Sequence, residues 1–96
     1  MQQRREQLLQ ELRTAEQARD LLSELERLLK EENHPEAGRY ENHLERLAQS
    51  LPEGHSVRLL IESAIGPDPV GSVSRSRSKL EGEVSTLRGA LHYHSS

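Results

Sequence analysis

Ninety-six residues, a formal charge of −3 and no cysteine exclude a disulfide framework, a thiolate zinc site and a cysteine nucleophile, and leave room for one small domain with a thin core. The aliphatic side chains are 16 Leu, 4 Val and 2 Ile, with no Phe or Trp and only Tyr40 and Tyr93 as aromatics, a balance that favours helices packed on helices over a sheet. Ordering such a chain costs on the order of 100 kcal/mol of conformational entropy, so the small apolar quota leads us to expect a helical bundle that is oligomeric or bound to a partner.

From Gln2 to Asn33 there is neither Gly nor Pro, and almost every residue is a good helix former, which predicts one helix over 2–33. Leu8, Leu12, Ala15, Ala18, Leu22, Leu25 and Leu29 recur at steps of three or four, and Leu9, Leu21 and Leu28 widen the stripe. Acidic and basic residues interleave around the remainder, as on a solvated face with local ion pairs. A helix of this length is about 45 Å long, more than a domain of this size can cover by itself, so its leucine stripe must meet the rest of the chain, a second copy or a partner.

Pro35, placed as a first helical residue and followed by Glu36, predicts a second helix over 35–51. Ala37, Tyr40, Leu44, Leu47, Ala48 and Leu51 share one face of it, and the Leu51–Gly54 run LPEG stops it. The intervening turn is short, which makes helices one and two an antiparallel hairpin. Residues 56–65 crowd Val57, Leu59, Leu60, Ile61, Ala64 and Ile65 together with no second strand candidate to pair with, so a short buried helix ended by Gly66 and Pro67 is expected.

Asp68 and Pro69 form another cap and first-residue pair. Beyond them Val70, Val73, Arg77, Leu80, Val84, Leu87 and Leu91 keep an unbroken heptad step, which predicts a fourth helix over 69–93. Ser78 with Glu81 matches a capping box and offers a rival start at 78, leaving the serine- and arginine-rich stretch before it as loop. The predicted architecture is therefore all-α and single-domain over 1–96: a long helical hairpin, a short third helix and a C-terminal fourth helix.

Function is constrained mostly by exclusion. No nucleophile elbow, P-loop, HExxH or glycine-rich dinucleotide motif is present, so no enzyme, cofactor or small-molecule substrate is expected. The five histidines, His34, His43, His55, His92 and His94, read as solvated or capping groups; Glu31 and His34 have an i, i+3 spacing that is not repeated elsewhere, and no metal site is expected. There is no signal-like or membrane-spanning apolar run, and the expectation is a cytoplasmic protein without membrane contact.

The expected function is non-enzymatic protein–protein interaction, as an adaptor, a small chaperone or inhibitor, or an assembly component. Leu8, Leu9, Leu12, Leu80, Val84, Leu87 and Leu91 are the candidate partner-binding residues, with self-association favoured. The competing reading is a nucleic-acid-associated regulator that uses the Ser/Arg segment 72–79, with Arg75, Arg77 and Lys79 beside Arg4 and Arg5. Residues 67–96 net only one positive charge and offer no stacking platform, which weighs against it. Ser74, Ser76 and Ser78, flanked by arginines, are candidate phosphorylation sites.

Overall fold

The computed structural model describes residues 2–65 and 69–95, with side chains from Arg5 to Ile65 and from Gly71 to Tyr93. Four helices follow in order: α1 (Gln2–Lys30), α2 (His34–Gln49), α3 (Ser56–Ala64) and α4 (Pro69–Ser95). Among the described residues there is no strand, and the molecule is an all-α bundle of 46 × 21 × 18 Å. Its length is that of α1 itself.

α1 closes at Lys30, short of the expected 33. Glu32 enters the left-handed region at φ 59°, the Asn33 N–H reaches the Leu28 carbonyl at 2.9 Å and the Glu32 N–H reaches Leu29 at 3.2 Å. This is a Schellman closure with glutamate where glycine is usual. α2 then starts at once, the Asn33 carbonyl accepting from the Ala37 N–H at 3.0 Å, with Pro35 in its first turn. It ends at Gln49, where the Ser50 hydroxyl donates to the Leu47 carbonyl at 2.6 Å.

Gly54, at φ 83°, makes the turn into α3, and His55 caps that helix. Its Nδ1 accepts from the Val57 N–H at 3.1 Å, while Nε2 lies 3.7 Å from Glu11 of α1. The turn is thereby tied to the N-terminal third of α1. Val57, Ile61 and Ala64, at i, i+4 and i+7, are the buried face of α3. Leu59 falls on the opposite side and is 52% exposed, so α3 is not buried all round as its composition suggested.

The stretch from Gly71 to Arg77 is helical and continuous with the rest of α4, so the capping-box start at Ser78 is not used. The expected stop at Gly66 and Pro67, the Asp68 cap and the side chain of Val70 lie outside the described residues.

α2 folds back beside α1 as the short turn requires, but the larger contact of α1 is with α4. Two cross-helix ion pairs set the direction of that contact: Glu16 with Arg88 and Glu26 with Arg77. One partner climbs as the other descends, so α4 lies antiparallel to α1. α3 bridges α2 and α4. The core runs through all four helices, with Ala15, Ala18, Leu22, Leu25 and Leu28 of α1 facing Leu44 of α2, Ile61 of α3 and Val73, Leu80, Val84 and Leu87 of α4. Among the described residues no helix is long and apolar enough to cross a membrane.

Candidate functional site: the surfaces the bundle leaves open

The leucine stripe of α1 is covered unevenly along its length. Ala15, Ala18, Leu22, Leu25 and Leu28 are sealed, whereas Leu8, Leu9 and Leu12 at the N-terminal end are partly exposed, as are Leu21 and Leu29 at the edges of the stripe. Leu8 and Leu12 still pack against the edge of the core, and Leu9 is not among the described residues that do so. The ion pairs between α1 and α4 place Leu91 level with Leu12, and Leu91 is half-buried there. The structure therefore gathers Leu8, Leu9, Leu12 and Leu91 at one end of the bundle. It separates them from Leu80, Val84 and Leu87, which are interior core and out of a partner's reach while the bundle is closed.

The Ser/Arg segment becomes one flank of a packed helix. Ser76, 3% exposed, occupies the α4 seam at the level where the heptad reading placed Arg77. A serine is small enough to be enclosed there, and the longer Arg77 emerges at the edge of the contact with α1. Arg77 Nε donates to Glu26 Oε2 at 2.7 Å and its Nη1 donates to Glu81 at 2.8 Å. Glu26 also accepts from Lys30 at 3.0 Å. With its side chain only 12% exposed, the Glu26 carboxyl is held below the usual carboxylate range, first by the Arg77 hydrogen bond and then by Lys30, against the cost of burial. The same bond to Glu26 pushes Arg77 further up.

Of the three cations in the segment, Arg75 and Lys79 remain exposed and Arg77 is taken. Arg5, also exposed, belongs to the other end of α1, about 30 Å along the axis from the level of this segment, so the basic groups do not form one patch; the side chain of Arg4 lies outside the described residues. Ser78 is exposed, Ser74 half-buried and Ser76 buried, which removes Ser76 from reach of a modifying enzyme while α4 is docked.

Among the described residues no three His, Asp or Glu side chains converge as metal donors. Glu31 and His34 are both exposed at the α1–α2 turn, and His55 is a helix cap. The side chain of His94 lies outside the described residues.

A feature the heptad reading passed over lies between α1 and α2. Two adjoining hollows of about 440 and 370 Å³ share Arg39 and His43 as lining and continue into one groove. Leu21, Tyr40 and Leu47 form its half-buried apolar floor. Arg46 stands with Arg39 and His43 along its rim. The sequence carried the signal as the i, i+4, i+7 spacing of Arg39, His43 and Arg46, but each residue read singly was a solvated cation. Leu59, expected in a buried helix, is left at the surface. No protein-family model, curated protein or solved structure matches this chain.

Proposed function

We propose that this chain is a non-enzymatic protein–protein interaction module that associates, with a second copy or with a partner helix, through the open end of its bundle. The observation that supports this most directly is at the N-terminal end of α1, where three neighbouring members of the apolar stripe, Leu8, Leu9 and Leu12, are only partly covered. A leucine left partly in water gives up part of the roughly 1.5–3 kcal/mol that full burial would return. Three such side chains at one end of a helix form a nucleus that another helix can complete.

Sedimentation velocity over a wide range of protein concentration tests this reading. The wild-type chain is expected to associate as concentration rises. Leu9→Glu, at the member of the cluster not packed on the core, is expected to weaken association at least tenfold, about 1.4 kcal/mol, with an unchanged circular dichroism spectrum. A chain that stays monomeric throughout, with the amides of Leu8 to Leu12 as slow to exchange as those of Leu22 to Leu28, would refute it.

The nucleic-acid reading draws no support from the geometry, because Arg77 is spent on Glu26 and Glu81. Binding to DNA or RNA that weakens steeply with added salt would restore it.

A further inference from the structure

We infer that the groove between α1 and α2 is a docking surface for an acidic amphipathic helix, a site separate from the open end of the bundle. The inference rests on reading the chain as an interaction module and adds a second surface with a stated partner chemistry.

Charge is sorted by flank on α2. Arg39, His43 and Arg46 line the groove on the α1 side. Glu45 lines the hollow on the α3 side, and Glu41, one turn before it, shares that flank. Among the described residues the only carboxylate lining the groove is Glu36, at its end, which Arg39 holds at 3.2 Å. Arg46 has no carboxylate within ion-pair distance among the described residues. A chain of net charge −3 thus presents a groove whose lining carries Arg39 and Arg46 against the single carboxylate of Glu36, and such a local excess of positive charge selects partners of the opposite sign.

The shape of the groove narrows the partner class. The hollows are open troughs rather than enclosed pockets, and Leu21, Tyr40 and Leu47 lie along the floor where a docked helix would set apolar residues at i, i+3 or i+4, and i+7. Arg39 and Arg46 are two turns apart, about 10 Å, a spacing that carboxylates at i and i+7 of that helix can span. A polyanion without apolar groups would leave the floor unused.

The test is a titration of the isotope-labelled full chain, followed by amide chemical shifts. One synthetic helical peptide carries leucines along one face with glutamates beside them, and a second carries lysines in place of the glutamates. The glutamate peptide is expected to shift Leu21, Tyr40, His43 and Leu47. The lysine peptide is expected to bind at least tenfold more weakly, and Arg39→Glu with Arg46→Glu to weaken the glutamate peptide by a similar factor while the helix content stays unchanged. Leu9→Glu, which disables the open end of the bundle, is expected to leave this binding as it was.

Several results would overturn the inference: no shifts with the glutamate peptide, equal binding of both peptides, or equal shifts with heparin. The same holds for shifts centred on Leu8 to Leu12, for loss of binding in Leu9→Glu, and for the groove shifts appearing when the protein alone is concentrated, which would make a second copy its occupant. If Arg39→Glu/Arg46→Glu loses helix content, Arg46→Gln alone serves in its place, with a smaller loss expected in the same direction.

Discussion

Gly82 and Gly89 sit inside α4, and a Cβ built on either meets no atom within 4 Å. Neither has a positive φ, and both face solvent. Replacing each by alanine therefore adds no clash and asks for no change of backbone; it removes the conformational freedom that glycine has when unfolded, worth about 0.5–1 kcal/mol per site. The two sites are seven residues apart, about 10 Å along the axis, so their effects add. The double variant Gly82→Ala/Gly89→Ala is expected to gain about 1–2 kcal/mol, which for a domain of this size raises Tm by about 4–16 °C.

Gly54 supplies the internal control. It too has nothing within 4 Å of an added Cβ, but its φ of 83° is one that side chains rarely adopt, so Gly54→Ala is expected to lose about 1 kcal/mol. Urea and thermal denaturation followed by circular dichroism at several protein concentrations measures all three. A double variant that gains nothing, or whose gain reverses as concentration rises, would show that another surface lies against the glycine face of α4, and the account of that face as solvent-exposed would fail.

Two further outcomes follow from the helix contacts and ends. Because the folded-state pKa of Glu26 lies below its ordinary value of 4.5, its stabilisation is complete above that pH and is lost as pH falls through the lower, folded value; Glu26→Gln should cost about 1 kcal/mol at neutral pH, with the gap to wild type closing as pH falls below 4.5 in urea titrations. Glu32→Gly, which relieves a left-handed residue in the α1 closure, should gain about 1 kcal/mol, read as a shift of the urea midpoint with an unchanged slope.

Most of the helical architecture was legible along the chain because it is written in local chemistry. The glycine- and proline-free run to Asn33, the spacing of Leu8 to Leu29, Pro35 as a helix starter, the apolar cluster from Val57 to Ile65 and the heptad from Val73 to Leu91 are each short-range signals, and four helices follow from them. Where α1 ends was less legible, since a glutamate took the left-handed closing position that normally advertises itself as glycine.

Tertiary packing decided which faces meet. Periodicity marks a stripe on each helix without saying which neighbour covers it, and here α4 covers most of α1, so Leu80, Val84 and Leu87 become core while Leu8, Leu9 and Leu12 stay at the margin. A heptad step cannot distinguish position 76 from 77 at the seam. The packing of α4 in the bundle buries the small Ser76 and sets Arg77 against Glu26 of α1, fifty-one residues away in sequence. The groove has the same origin: the sequence places Arg39, His43 and Arg46 on one flank of α2, and only the seating of α2 against Leu21 of α1 gives that flank an apolar floor.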